Sequence, residues 1–186
     1  MRIIAGKYKG QVIHAPKSIP ARPTTDRSKE SLFNILQNKI DLDGLQVLDL
    51  FSGTGNMAYE FASRGAALVH AVDQNATAVR FIGETFKKLG IEQSKAIKAN
   101  ALAFHKRASQ SYDLIFADPP YALPGLPDFI DHVLSSAILD TGGIFILEHA
   151  IQVKTTESMR IDYRVYGQSA FSIYEKTATF GQKPEQ

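Results

Sequence analysis

The sequence contains no cysteine. That excludes a disulfide framework, a zinc–cysteine site and a cysteine nucleophile, and it fits a reducing cytosol. No apolar run approaches membrane-spanning length. The opening residues Met1-Arg2-Ile3-Ile4-Ala5-Gly6-Lys7 lack the apolar stretch of a secretory leader, so a cytoplasmic protein without a membrane segment is expected. There is no internal repeat and no low-complexity tract. The five histidines, His14, His70, His105, His132 and His149, show no metal-ligand spacing. They read as surface or turn residues, and no metal is expected. What is present is an ordinary globular composition: 186 residues, 44% hydrophobic and 22% charged, enough for one domain with a sizeable core.

The charge is nearly balanced overall but unevenly distributed. The net charge is only +2. Residues 1–30 carry seven basic side chains (Arg2, Lys7, Lys9, Lys17, Arg22, Arg27, Lys29) against Asp26 and Glu30, while the remainder is mildly acidic. A basic end on an acidic body suggests a polyanionic partner met by the N-terminal segment. Arg2, Lys7, Lys9, Arg22 and Arg27 are the candidate phosphate contacts.

Lys7-Tyr8-Lys9-Gly10 reads as a hairpin turn between two short strands. Pro16 and Pro20 interrupt regular structure, and Thr24, Thr25 or Asp26 can cap a helix whose apolar face is Leu32, Phe33, Leu36 and Ile40. Residues 1–43 are therefore an arm plus one helix. From residue 45 strand and helix signals alternate: strands at 46–50, 68–73, 95–98, 112–118, 143–147, 163–166 and 170–176, and helices at 56–64, 76–89, 101–108 and near 126–135. Alternation of this kind predicts an α/β domain over 44–180 with a mostly parallel sheet covered on both faces. The last short hairpin must be antiparallel. Residues 181–186 read as a flexible tail.

Two stretches carry chemistry. In the first, Leu48-Asp49-Leu50-Phe51-Ser52-Gly53-Thr54-Gly55 ends a strand and opens a helix. The glycines permit a tight turn and close backbone approach to a ligand. Asp73 ends the next strand 20 residues after Gly53, the distance at which an acid accepts from ribose hydroxyls. Gly53-Thr54-Gly55-Asn56-Met57-Ala58 also fits a relaxed dinucleotide fingerprint, but Asp49 would repel a pyrophosphate. It would hold an ammonium instead, which favours S-adenosylmethionine. Phe51, Ser52, Thr54 and Gln74 complete this candidate cofactor site. Asn100-Ala101 follows the third strand, where an amide carbonyl and an N–H would suit adenine; read alone, Asn100 is a helix cap.

The second stretch is Tyr112-Asp113-Leu114-Ile115-Phe116-Ala117-Asp118-Pro119-Pro120-Tyr121. An apolar strand ends in an acid, two prolines and an aromatic. The prolines lack N–H groups and fix a rigid corner. Asp118 and the Pro119 carbonyl can accept from an exocyclic amine while Tyr121 stacks on a planar base.

Asp49-x-Phe51-x-Gly53-x-Gly55 followed by Asp118-Pro119-Pro120-Tyr121 resembles the signature of amino-group methyltransferases acting on nucleic acid. Arg2-Ile3-Ile4-Ala5-Gly6, Arg22-Pro23-Thr24, Glu30-Ser31-Leu32-Phe33-Asn34 and Ser63-Arg64-Gly65-Ala66 are similar to the bacterial 16S ribosomal RNA guanine-N2 methyltransferases of the RsmD family. The resemblance runs from Arg2 to about Lys176. It implies a Rossmann-like class I fold with a seven-stranded sheet and one antiparallel strand. It also implies S-adenosylmethionine as cofactor and 16S rRNA in the 30S subunit as partner of a cytoplasmic enzyme, expected to be a monomer. Two positions depart from the family pattern: Asn100 stands where Asp is usual, and Asp73 where Glu is common. A DNA adenine-N6 or cytosine-N4 methyltransferase shares Asp-Pro-Pro-Tyr, but no inserted target-recognition domain is present. A non-catalytic rRNA-binding assembly factor would not need both stretches intact.

Overall fold

Seven strands alternate with five helices among the residues that the computed structural model describes, 1–20, 25–107, 109–121 and 123–178. In chain order they are α1 (Asp26–Gln37), β1 (Gln46–Leu50), α2 (Asn56–Ser63), β2 (Leu68–Asp73), α3 (Ala76–Leu89), β3 (Lys95–Lys98), α4 (Ala101–Arg107), β4 (Tyr112–Ala117), α5 (Leu126–Ser135), β5 (Leu139–Ala150), β6 (Arg160–Tyr166) and β7 (Ser169–Glu175). The strands form one sheet in the order β3-β2-β1-β4-β5-β7-β6. The chain divides into two compact units, 1–101 and 102–186.

In the first unit β1, β2 and β3 run parallel, with Asp49 opposite Ala71 and Asp73 opposite Lys98. The helices form where the local chemistry permits. Thr25 caps α1 by accepting from the Ser28 N–H at 3.1 Å, and Asn75 caps α3 by accepting from the Thr77 and Ala78 N–H groups. Each cap satisfies donors that have no partner inside the helix. Helix α3 stops at Gly90, which takes the left-handed conformation with φ +70°. Helix α1 is shorter than its apolar pattern suggests. It ends at Gln37, and Ile40, expected on its face, lies beyond it in a tight turn where the Lys39 and Ile40 N–H groups both donate to the Leu36 carbonyl.

The N-terminal hairpin closes on a single antiparallel bridge between Arg2 and Val12 rather than on two strands. It docks on α2 through its main chain. Glu60 accepts from the Ile4 N–H (2.9 Å) and the Ala5 N–H (3.1 Å), and the Ser63 hydroxyl and carbonyl accept from the Tyr8 and Lys7 N–H groups. Gly6 has φ +81°, and a β-carbon there would overlap the Ser63 carbonyl. Lys29, counted above among the basic residues of the arm, is wholly buried. Its ammonium donates to the Arg2 carbonyl (2.7 Å), Asn56 Oδ1 (2.9 Å) and Glu60 Oε2 (3.2 Å). Burial lowers its pKa, and the Glu60 charge opposes that shift. Arg64 completes the cluster, donating Nε to Glu60 Oε1 at 2.9 Å while its guanidinium lies over Phe33.

In the second unit β4 and β5 are parallel, β7 is antiparallel to β5, and β6 is antiparallel to β7. Strand β5 is longer than expected. Gly142 and Gly143 lie inside it, at an irregularity of register opposite Tyr112–Leu114, rather than at its start. Two histidines expected at the surface are buried in strands. His70 sits in β2, where burial lowers its pKa. His149 sits in β5, bonded through Nε2 to the Ser172 hydroxyl at 2.9 Å. Arg22, Pro23 and Thr24 of the expected arm, Ala108 and the expected tail at 181–186 lie outside the described residues.

Candidate active site

One candidate site is built in the first unit, at the carboxyl ends of β1 and β2. Leaving β1, the chain turns sharply: Phe51 takes φ 62°, an uncommon conformation for a bulky side chain, and Gly53 and Gly55 take φ 53° and 79°. The turn is tied down on all sides. The Ser52 N–H donates to the Val72 carbonyl at 3.0 Å, the Ser52 hydroxyl to the Asp49 carbonyl at 2.7 Å, and the Gly55 N–H to the Ser52 carbonyl at 2.7 Å. Asp73 links the turn to the next helix, accepting from the Gly53 N–H on one oxygen and the Asn75 N–H on the other, both at 2.8 Å. Each oxygen keeps a second lone pair for a ligand hydroxyl. At Gly55 a β-carbon would meet the Tyr59 ring tip at 2.7–2.8 Å and Ile82 at 2.9 Å. Glycine is required there for space as well as for φ.

Asp49 is the exceptional group. It is 1% exposed, and its Oδ2 has no hydrogen-bond partner. A buried unpaired carboxylate is costly. Burial pushes the carboxyl up to about 8, the charge of Asp73 adds to the rise, and hydrogen bonding from Ser52 and the Ala58 N–H opposes it. A cation seated at Oδ2 would supply the missing partner and restore the ionised form. An ammonium fits that need; a phosphate does not. Ser52 and Thr54 are nearly buried, Gln74 is exposed, and Asn100-Ala101 follows β3, with Asn100 exposed and Ala101 buried. The candidates read from the first stretch thus all lie in the first unit, at or just beyond the carboxyl ends of β1, β2 and β3.

A second candidate site is built in the second unit, at the carboxyl end of β4. The strand is buried from Leu114 to Ala117, Asp118 is half-buried, Pro119 is buried, and Pro120 and Tyr121 are exposed. The corner is closed by the Leu123 N–H, which donates to the Pro120 carbonyl at 2.9 Å. The Tyr121 hydroxyl pairs with the Ser169 hydroxyl of β7 at 2.7 Å, which fixes the ring while leaving it 40% exposed. Asp118, Pro119 and Tyr121 are therefore held together by one turn. Of the basic candidates, Arg2, Lys7, Lys9 and Arg27 are exposed, with Arg2 4.0 Å from Asp26, and Lys7 lies over the Tyr8 ring. Glu60 escaped the sequence reading, although a glutamate in a helix buried almost all round is a signal that a partner exists.

A family model described as Conserved hypothetical protein 95 matches residues 1–175. Among curated proteins, ribosomal RNA small subunit methyltransferase D of Escherichia coli K12 is 28% identical over 183 residues, covering 96% of this chain and 91% of that protein. The protein of the same name from Buchnera aphidicola of Baizongia pistaciae is 32% identical over 148 residues, covering 80% and 75%. Among solved structures, an Escherichia coli protein provisionally assigned as a methyltransferase superposes with a TM-score of 0.82 at 26% identity, covering 96% of this chain and 99% of that one.

Proposed function

The chain belongs to the family described as Conserved hypothetical protein 95, to which the small subunit methyltransferases D are related, and from that premise we propose that it methylates the N2 amine of a guanine in 16S rRNA of the small ribosomal subunit, using S-adenosylmethionine. The observation that carries the cofactor is the buried, unpartnered Oδ2 of Asp49 beside a glycine turn. The names of the relatives support ribosomal RNA as the substrate. A cytoplasmic monomer acting on the 30S subunit is the corresponding proposal for place and partner.

S-adenosylmethionine, when bound, supplies an electrophilic methyl group on a sulfonium. Asp49 would hold the ammonium of its methionine part, Asp73 would accept from the ribose hydroxyls, Phe51, Ser52, Gly53, Thr54 and Gly55 would give the backbone turn against it, and Gln74, Asn100 and Ala101 would serve the adenosine end. A guanine N2 lone pair is delocalised into the ring and is a weak nucleophile. Asp118 and the Pro119 carbonyl accept the amine hydrogens, turn the nitrogen towards tetrahedral geometry and favour the positive charge that grows on it. Tyr121 stacks on the base, a contact worth roughly 1–3 kcal/mol. The base must leave its stack to reach this corner. The test is to incubate the protein with methyl-labelled cofactor and naked 16S rRNA, 30S particles or duplex DNA, then digest and identify the labelled nucleoside. Label in N2-methylguanosine of 16S rRNA is expected; label in DNA, or none in RNA, would overturn the reading.

Asp49 gives a second expected result. Its folded pKa of about 8 lies above the ordinary carboxyl value of 3.8. The stability it contributes is fully present below the ordinary value and is lost as pH rises through about 8. Asp49→Asn cannot ionise, so it should melt higher than wild type without ligand, by a margin that grows from pH 5.5 to pH 8.5. It should also bind S-adenosylhomocysteine at least about tenfold more weakly. A melting difference independent of pH would show that Asp49 is not the strained acid.

The exposed side chains of the arm supply the third. Lys7→Glu with Lys9→Glu should leave cofactor affinity unchanged and reduce the slope of log affinity for RNA against log salt by about 2. Equal slopes for the two proteins would make the arm a structural flap.

A further inference from the structure

Next to the β4 corner lies an acid that neither the motifs nor the mechanism uses. Glu148 is the tenth residue of β5 and only 7% exposed. Strands β4 and β5 are in parallel register, with Phe116 opposite Ile146 and Ala117 opposite Leu147. The last pair is Ala117 with Leu147, and the same register carried one step past the end of β4 would set Glu148 beside Asp118. Neighbours in register share a face of the sheet, about 4.8 Å apart along the hydrogen-bonding direction. Tyr121 marks the same face. Its hydroxyl bonds Ser169, which stands opposite Ala150. Ala150 follows Glu148 by two residues and so shares its side. Asp118, Glu148 and Tyr121 are therefore two carboxylates and one ring on one face, at the end of two adjacent strands.

We infer that Glu148 is a specificity residue that accepts a hydrogen bond from the N1–H of the target guanine. This rests on the proposed guanine reading. The Watson–Crick edge of guanine presents two kinds of neighbouring donor, the N2 amine and the N1–H. Asp118 and the Pro119 carbonyl take the amine hydrogens, which leaves N1–H needing an acceptor beside Asp118. An ionised carboxylate only accepts. Adenine at N1 and cytosine at N3 present lone pairs there, and a nearly buried carboxylate repels a lone pair that faces it. A site built to bond a substrate N–H rejects the analogue lacking it far more strongly than an apolar pocket rejects a missing methylene. Two adjacent acids thus read two adjacent donors, and the amine is selected together with the ring that carries it.

The test uses the full-length protein and rRNA whose methylated position, once mapped, carries either guanine or 2-aminopurine. The analogue keeps the N2 amine but has a lone pair at N1. Wild type should prefer guanine by at least about 100-fold in kcat/KM. Glu148→Gln can turn its amide to donate to that lone pair, so it should lose rate on guanine, gain relative rate on 2-aminopurine, and narrow the preference at least tenfold. S-adenosylhomocysteine affinity should not change. A variant that slows both substrates in parallel would make Glu148 merely structural and overturn the inference. A wild type that accepts 2-aminopurine as readily as guanine would do the same, whether or not the variant folds. If wild type forms no N2-methylguanosine at all, the proposed function falls first and the inference with it.

Discussion

Asp118→Ala should lower the single-turnover methylation rate on 30S particles by about 10²–10³, the usual loss when one pre-arranged electrostatic partner is removed from a reacting centre. Asp118→Asn should fall between alanine and wild type. The amide keeps a carbonyl acceptor for an amine hydrogen but loses the negative charge that favours the developing cation. Affinity for S-adenosylhomocysteine should barely move in either variant, because Asp118 follows β4, whereas Asp49 lies in β1 and Asp73 ends β2. No proton need leave the amine before transfer, since the methylated ammonium is itself strongly acidic. Rates measured across pH separate this from base catalysis. If Asn were as slow as Ala, and the wild-type rate rose through one ionisation that Asn abolishes, Asp118 would be a general base.

Glu60→Ala should destabilise the protein by about 3–5 kcal/mol, the cost of breaking a buried ion pair from one side. The glutamate is fully buried and serves four donors: the Ile4 and Ala5 N–H groups, Lys29 and Arg64. Its removal leaves the Lys29 ammonium inside the protein without its counter-charge, and two arm N–H groups without acceptors. Chemical denaturation measures the loss, and proteolysis near residues 1–15 should accelerate with it. Glu60→Gln tests the charge alone. It keeps one carbonyl acceptor and should be destabilising by less than alanine. A loss below about 1 kcal/mol for alanine would mean that the cluster is solvated and that burial does not set its energetics.

Where one residue type makes the local decision, the sequence was a good guide to the fold. Apolar runs between punctuating residues located β1, β2, β3, α3 and α5 at their observed limits, since Asn75, Gly90 and Gly125 act within a turn of their own position. The turn at 51–55 and the β4 corner were legible as turns for the same reason: glycine and proline act on their own backbone. The errors lie where a distant partner decides. Lys29 looked like surface charge because nothing near it in sequence announces Glu60, 31 residues away. His149 looked exposed because its partner Ser172 lies on another strand. Gly143 looked like a strand start because an irregularity in β5 is fixed by its pairing with β4. Glu148 carries no motif at all, and only the strand register sets it beside Asp118.

The arm is gripped through its peptide groups. Ile4, Ala5, Lys7 and Tyr8 each offer a backbone N–H to Glu60 or Ser63, and any residue other than proline could offer the same. Gly6 is the exception, because it needs its φ and has no room for a β-carbon. Ile3 and Ile13 add buried side chains to the grip, but the exposed positions between them hold by backbone alone. Lys7, Lys9 and Val12 can be exchanged with little effect on the grip. Lineages can drift there, and a randomised library can be built there, so that the outward surface is retuned to a different polyanion while the attachment stays as it is.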